Sequence, residues 1–485
     1  MRSALAASSR HRRTAGIGSP VPLERLLGGT DVLRSLGDFG AAAITSVTHD
    51  SRAVTPGALF CCLVGATADG HDHAAAAVAA GGAALLVERP LPLDVPQAVV
   101  ADTRVALASV AAAFHNHPSR RLAVAGVTGT NGKTTVTYLL AAVLEAADRP
   151  SAVIGTITGA RTTPEAPDLQ ARLAALAAEG VAAVAMEVSS HALVQRRVDA
   201  LWFEAVAFTN LSQDHLEYHG TMEDYFAAKA SLFDPARARV GVVNADDPWG
   251  RRLLDGATGL DLRPFSLGDV SSLAVGRDGS TFVLDGHPVR LRICGTFNVS
   301  NALAAAALAR ELGVGPADVA AGLGALAAVP GRFERVDGGG PVAVVVDYAH
   351  TPDGLENVLR AARQLAGDGR VVVVFGAGGD RDHAKRPAMG EAAARLADVA
   401  VLTSDNPRSE DPLAIIAEVS AGVTRPEALV VEPDRRAAIA LALDTARPGD
   451  VVVVAGKGHE AVQVFAGGHV VPFDDGAVAR ELLAS

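Results

Sequence analysis

Lysine is nearly absent from this chain. Only four of its 43 basic residues are lysines: Lys133, Lys229, Lys385 and Lys457. Arginine serves almost wherever a surface cation is needed. Lysine differs in being a compact point charge whose amine can lose its proton and react. Three of the four lie in or beside glycine-rich segments, so these positions are the first candidates for chemistry. Cysteine is also scarce. Cys61, Cys62 and Cys294 form no C-x-x-C pair, which excludes a disulfide framework and a thiolate metal site and suits a reducing cytoplasm. Aromatic residues make up 4%, so the cores must be built from Ala, Val and Leu. No apolar run reaches the ~18 residues a membrane helix needs. The longest, near Ala74–Val87, is broken by Gly81-Gly82. A net charge of −11 argues against a surface built to grip nucleic acid.

What is present is a chain of 485 residues, 49% hydrophobic. That supports folded cores in about three domains. Residues 1–19 carry arginines, no acid and no apolar h-region, and read as a disordered tail. After them the pattern is strand, turn, helix, repeated. Val/Ala runs at 122–132, 181–190, 205–212, 240–247, 342–350, 371–380, 399–407 and 451–460 end in glycine or polar turns. Near-continuous apolar runs of this kind predict buried parallel strands, and the Ala/Leu-rich stretches between them predict helices. The fold class is α/β, and ligands should bind beyond the carboxyl ends of the strands. HNHPSRR at 115–121 and the Pro/Gly-rich 327–341 suggest boundaries. The expected segments are an N-terminal domain 20–118, a central domain 119–330 and a C-terminal domain 331–485.

The strongest local signal is GVTGTNGKTT at 126–135, after a strand and opening a helix. Gly129, Thr130, Asn131, Gly132, Lys133, Thr134 and Thr135 form a compact variant of a phosphate-binding loop, with Val127 where the strict pattern has glycine. Glycines let backbone N–H groups approach phosphates, Lys133 would reach the β/γ-phosphates, and the Thr134 hydroxyl can ligate magnesium. Glu187 ends a strand, where a carboxylate could take Mg²⁺. Asn210, Asp214, His215 and His219 crowd one loop, a density that suits metal or phosphate chemistry. Lys229 sits in a helical stretch, and nothing local explains it.

GTNGKTT, EVSSHAL, TNLSQDHLEYHG, KASLF, FNVSNALAA, PGRFE, DYAHTPDGL, GGDRDHAKR, SDNPRSEDP and GKGHE stand in the order found in Mur ligases. These are the ATP-dependent amino-acid ligases of peptidoglycan synthesis, and the resemblance runs from about Pro20 to the end. It implies a central P-loop sheet, a Rossmann-like C-terminal domain and a smaller N-terminal domain for a UDP-linked substrate. It also implies that ATP converts a carboxylate into an acyl phosphate, which an amine then attacks. Two Mg²⁺ ions are implied, one at Thr134 and Glu187, the other at His215 and a carbamylated Lys229. Lys133, Lys229, His215 and Glu187 are then the catalytic group, and Asn298, Asn301, Arg332 and Asp347 further ATP contacts.

Ser51 and Arg52 resemble the UDP-binding landmarks, with the ATADG loop after them near the diphosphate. Thr162, Thr163, Ser189, Gln195 and Arg197 match positions that hold the muramoyl-dipeptide. SDNPR resembles the branch that adds meso-diaminopimelate to UDP-MurNAc-L-Ala-D-Glu, with Arg381, Asp405, Asn406, Pro407, Arg408, Gly456 and Glu460 around the amino acid. A lysine-adding enzyme, a folylpolyglutamate synthase and a P-loop switch are the alternatives. The N-terminal DSR segment speaks against the synthase, and the polar clusters at 378–386, 404–408 and 456–460 against the switch. A cytoplasmic monomer without membrane or nucleic-acid partners is expected, with the passage at 329–341 as hinge.

Overall fold

The structure is a computed structural model that describes residues 20–65, 68–256, 259–276, 279–336 and 340–484. The N-terminal tail and the first two residues of the ATADG loop lie outside the described residues. The chain divides into two compact units. One comprises the residues up to 126 with 149–205 and 231–239. The other comprises 127–148, 206–230 and 240 onward.

In the first unit, β1 (Val32–Leu36), β2 (Ser46–Thr48), β3 (Ala58–Cys61), β4 (Ala84–Val87) and β5 (Gln97–Val100) form a sheet in the order β1-β5-β4-β3-β2. All of its pairs are parallel except β1 with β5. Helix α1 (Thr103–Phe114) packs Leu107 and Val110 against Leu59, Leu86 and Ala98. Phe60, Cys62, Leu85 and Val87 fill the opposite face. Burial on both faces explains why these strands read as unbroken apolar runs. Further along come β6 (Ala123–Thr128), whose last two residues begin the second unit, then β7 (Ser151–Ile154), α3 (Ala166–Ala178) and β8 (Ala183–Glu187), while α2 (Lys133–Ala146) belongs to the second unit. Strand β8 lies between β6 and β7 and runs parallel to β7.

In the second unit, β9 (Ala205–Phe208), β10 (Val240–Asn244) and β11 (Asp261–Phe265) pair in parallel, and α4 (Met222–Ala230) follows the loop after β9. Helix α5 (Thr296–Glu311) packs against α2. The C-terminal portion holds β12 (Glu334–Val336), β13 (Ala343–Asp347), α6 (Pro352–Ala366), β14 (Val371–Phe375), α7 (Lys385–Leu396), β15 (Val399–Leu402), β16 (Leu429–Val431), α8 (Arg435–Thr445) and β17 (Val451–Ala455). Its sheet order is β12-β13-β17-β14-β15-β16. Every pair is parallel except β12 with β13. The order reverses direction at β17, which opens a crevice at the carboxyl ends of its neighbours.

The parallel sheets read from the sequence are present, with antiparallel additions. A three-stranded antiparallel sheet spans Ser271–Gly276, Gly279–Leu284 and His287–Leu291. Its last turn places Asp285 and Gly286 at φ +50° and +78°. Two successive positive φ angles make a tight hairpin turn, which an Asp-Gly pair supplies. One edge of each of two parallel sheets also carries an antiparallel strand, β1 and β12. No helix of the described residues is long and apolar enough to cross a membrane.

Candidate active site

The loop between β6 and α2 is shaped by two glycines in conformations other residues resist. Gly129 has φ +146° and Gly132 φ +88°. A Cβ on Gly129 would fall on the Thr209 hydroxyl, and one on Gly132 on the Asn301 amide oxygen. Neither position leaves room for any other residue. The loop is pinned from several sides. Asn131 N–H donates to Asn210 Oδ1 at 2.9 Å, and Asn131 Nδ2 donates to Asp353 Oδ2 at 2.8 Å. The Thr130 hydroxyl reaches Ser212 O at 3.2 Å and the Tyr225 hydroxyl at 3.3 Å. Lys133 Nζ folds back to donate to Gly129 O at 2.9 Å and Thr130 O at 2.8 Å. A glycine turn, a helix N-terminus and an ammonium at one point form a built anion site.

Lys229 comes to the same carbonyl from the other direction. Its Nζ donates to Gly129 O at 2.9 Å and lies 4.6 Å from the Tyr225 ring centroid, and the residue is 1% exposed. Burial, then the neighbouring charge of Lys133, pushes its pKa well below that of an ordinary lysine, against the pull of Asp214. The neutral amine is the form that captures CO₂. Asp214 is the hub of the adjoining cluster: His215 Nε2 at 3.3 Å, Lys385 Nζ at 3.4 Å and His350 Nε2 at 3.9 Å. Burial works to raise the Asp214 carboxyl, yet His215, Lys385, His350 and Lys133 together hold it below the usual carboxylate range. His350 is pushed down to about 4, by burial and then by Lys385. His215 itself sits at φ +55°.

Asn298 and Asn301 share a face of α5, as their spacing requires. Asn301 Nδ2 donates to Asn298 Oδ1 at 3.0 Å, and Asn298 Nδ2 to Cys294 O at 2.7 Å. Arg332 donates to the Thr134 hydroxyl at 3.0 Å, with its guanidinium 4.3 Å from the Tyr348 ring centroid. The Asp347 carboxylate accepts from Phe333 N–H at 2.6 Å and Ala349 N–H at 2.7 Å. It serves as a backbone clamp.

At the carboxyl ends of β15 and β17, Asn406 and Glu460 meet at 2.7 Å, and Lys457 Nζ donates to Asn406 Oδ1 at 3.0 Å. Lys457 is fully buried and also stands 3.3 Å from Glu460 and 3.8 Å from Asp405. Gly456 sits at φ +116°, and a Cβ there would press on the Asp405 carboxylate at 3.1 Å. Arg408, at φ +54°, donates to Gly379 O at 2.5 Å. A Cβ on Gly378 would touch both Arg408 and Arg381. Burial, and then the charge of Arg381, pulls the Arg408 pKa down. Two crowded guanidiniums of this kind suit an anionic guest.

In the first unit, Glu187 ends β8. Its carboxylate accepts from Thr156 N–H at 2.9 Å and the Thr156 hydroxyl at 3.1 Å. The Thr163 hydroxyl donates to Glu187 O at 2.9 Å and accepts from Ser189 N–H at 3.1 Å, while the Thr162 hydroxyl lies 3.0 Å from that of Thr156. Arg197 binds Thr163 O at 2.9 Å, Gln195 at 2.5 Å and Glu165 at 2.8 Å. Thr162, Thr163, Glu187, Ser189, Gln195 and Arg197 thus form one cluster. Ser51 opens a short helical turn, and Arg52, its side chain 88% exposed, is gripped by Asp50.

Comparison with known proteins decides the family. Residues 43–129 match the Mur ligase family catalytic domain, 127–309 the Mur ligase middle domain and 331–458 the Mur ligase glutamate ligase domain. The chain belongs to the Mur ligase family. Among relatives of this Mur ligase, the UDP-N-acetylmuramoyl-L-alanyl-D-glutamate--2,6-diaminopimelate ligase of Streptomyces coelicolor is 47% identical, over 96% of this chain and 97% of that protein. The Geobacillus kaustophilus ligase of the same name is 45% identical over 91% and 95%. A solved structure of an enzyme of that name superposes with a TM-score of 0.68 at 32% identity, covering 96% of this chain and 99% of the other. MurF from Acinetobacter baumannii, 22% identical with a TM-score of 0.69 over 96% and 99%, shares the fold.

Thr156 and Glu165, which anchor the first cluster, and Asp353, which anchors another, carry no signal in the sequence; Lys385 and Lys457 are given no role there. The scarcity of lysine was the one signal that pointed to the last two. All four lysines are buried or half-buried in these clusters. Thr134, His215 and Lys229 belong to the second unit and Glu187 to the first. Among the described residues no group of three or more His, Cys, Asp and Glu is arranged to hold a metal ion. The hydroxyl of Thr134 and the carboxylates of Glu187 and Asp214 are nevertheless the hard oxygen donors Mg²⁺ takes beside phosphate. Lys229 offers oxygen only as a carbamate.

Proposed function

We infer that the chain is an ATP-dependent ligase that joins meso-2,6-diaminopimelate to the D-Glu carboxylate of UDP-MurNAc-L-Ala-D-Glu. One observation carries the choice of amino acid. Arg408 and Arg381 flank Gly378 on the side of the crevice where Asn406 and Glu460 are paired. Diaminopimelate ends in an amino-carboxylate where lysine ends in a bare ammonium. Arg408 can hold the extra carboxylate bidentately, and Glu460 can take the ammonium. The relatives so named, matched over nearly their whole length, support the same reading.

The loop 129–135 binds the ATP phosphates, and Lys133 turns from its carbonyls to the β/γ-phosphates. The Thr134 hydroxyl would hold one Mg²⁺; His215 and carbamylated Lys229, with Asp214 behind them, would hold another. Glu187 is a carboxylate of the kind Mg²⁺ takes. Bound there, magnesium neutralises charge on the transferring phosphoryl group. The cluster of Thr162, Thr163, Ser189, Gln195 and Arg197 orients the D-Glu carboxylate, which becomes an acyl phosphate as ADP forms. The amine of diaminopimelate attacks, and phosphate leaves. Asn298 and Asn301 support the nucleotide loop, and Asp347 fixes the backbone beside Arg332. Ser51 and Arg52 serve the UDP end. The three segments 20–118, 119–330 and 331–485 then divide the work among the UDP end, ATP and the amino acid. The setting is cytoplasmic, in keeping with three cysteines that are all buried thiols.

Competition at equal concentrations tests the assignment. With the dipeptide substrate, meso-diaminopimelate should be ligated in large preference to L-lysine. Lysine would leave Arg408 facing a cation, a penalty of about 2–5 kcal/mol. Arg408→Ala should erase most of that preference. Equal use of both amino acids, or an unchanged preference in Arg408→Ala, refutes it.

A further inference from the structure

We propose that this ligase carries a second anion site, on the second unit and apart from the 129–135 loop, that takes a phosphate group attached to an apolar or aromatic body. The site is a cavity of about 690 Å³ lined by Arg290, Arg292, Cys294, Phe333 and Arg335, with Ile293, Ala327 and Ala328 among its apolar walls. Its lining includes three arginines, all of them solvent-exposed, and no acidic residue. On a chain of net charge −11 such a concentration of one sign is a local inversion. Neither Arg290 nor Arg292 has an ion-pair partner among the described residues. Guanidiniums in a concave mouth recognise phosphate oxygens bidentately. The rest of the lining is apolar: Ile293, Cys294 and Phe333 are nearly fully buried. The volume lies in the range of small-molecule pockets, with space for a ring besides the phosphate.

Two wall residues connect this cavity to the nucleotide loop. Phe333 donates its N–H to Asp347, and its neighbour Arg332 donates to Thr134. The carbonyl of Cys294 accepts from Asn298, which accepts from Asn301, whose amide oxygen abuts Gly132. A guest that shifts either wall bears on the geometry of the ATP loop, so occupancy changes the KM for ATP without any contact with ATP. This coupling rests on the ligase reading above; the binding itself does not.

The test uses the full chain with the ATP site saturated by a non-hydrolysable ATP analogue. Phenyl phosphate and inorganic phosphate are titrated by calorimetry. Phenyl phosphate should still bind, about tenfold more tightly than inorganic phosphate, the factor expected for burying one ring. The double variant Arg290→Glu/Arg292→Glu should lose that binding while keeping the melting temperature and the affinity for the analogue. Arg335→Ala should weaken it severalfold. Absence of phenyl phosphate binding once the ATP site is filled, or undiminished binding to the double variant, overturns the site. Equal affinity for the two phosphates overturns the apolar wall as part of it. If binding is seen but the KM for ATP does not move with it, the coupling fails and the site stands.

Discussion

Lys229 shows what burial does to a single side chain. With Lys133 donating to the same carbonyl, two amino groups crowd one acceptor, and burial lowers the pKa of the more buried one, favouring its neutral form. A neutral amine plus CO₂ yields a carbamate and a proton, turning a cation into an anionic oxygen donor. Mass spectrometry of the intact protein under bicarbonate should therefore find a labile carbamate on Lys229. Lys229→Ala should lose ligation and regain part of it with short carboxylic acids, and Lys229→Arg should stay inactive. Full activity of Lys229→Arg would contradict the chemistry. A second residue-scale effect concerns pH. His219 and His350 are both pushed down to about 4, each mainly by burial. Unfolded histidine takes its proton near 6.5, so between about pH 6.5 and 4 the unfolded chain binds more protons than the folded one. Their contribution to stability is full above that window and is lost as pH falls through it. Without magnesium the thermal midpoint should drop from pH 7 to pH 5. His219→Phe, which keeps the ring beside Tyr225, should flatten that drop; an identical pH slope in the variant would exclude His219.

Among the elements, α8 holds the amino-acid crevice together through one residue. Arg435 is fully buried, paired with Asp475 at 2.6 Å, and donates to Ala455 O at 3.0 Å and Ser404 O at 3.4 Å. Those carbonyls precede Gly456 and Asp405, so one guanidinium ties both crevice loops to the last helix, Asp475–Ala484. Arg435→Ala leaves the Asp475 charge buried, a loss of about 3–5 kcal/mol. It should raise the KM for diaminopimelate far more than that for ATP. Parallel changes in both would reduce Arg435 to a packing role. The same scale shows what the sequence made legible. The parallel strands were readable because a strand buried on both faces must be continuously apolar, and β14, VVVVF, is the clearest case. The antiparallel hairpin was passed over although Asp285-Gly286 marks its turn, because its strands alternate and mimic loop composition. Loop 129–135 could be read because its chemistry is local. Its partner Asp353 lies 222 residues from Asn131, and no local pattern can signal a hydrogen bond of that span.

At the scale of the whole molecule, polar contacts within the second unit join the nucleotide loop and the loop after β9 to the C-terminal portion. Asp353 bonds Asn131 and Ser212, Asp214 meets Lys385, and Gln213 reaches Asp382 at 3.4 Å. Polar bridges of this kind break and reform at little cost, as a hinge at 329–341, of which 337–339 lie outside the described residues, would need. Small-angle scattering should accordingly give a smaller radius of gyration with nucleotide and both substrates than without ligands. Identical profiles would count against closure.

That every lysine is buried or half-buried also makes the chain its own reporter. A protease that cleaves only after lysine has four bonds to attack, and none lies on an open surface. Digestion of the native enzyme must wait for one of the clusters to open, so its rate measures that opening, while the arginine-covered exterior stays invisible to the protease. The first bond cut names the cluster that opens first.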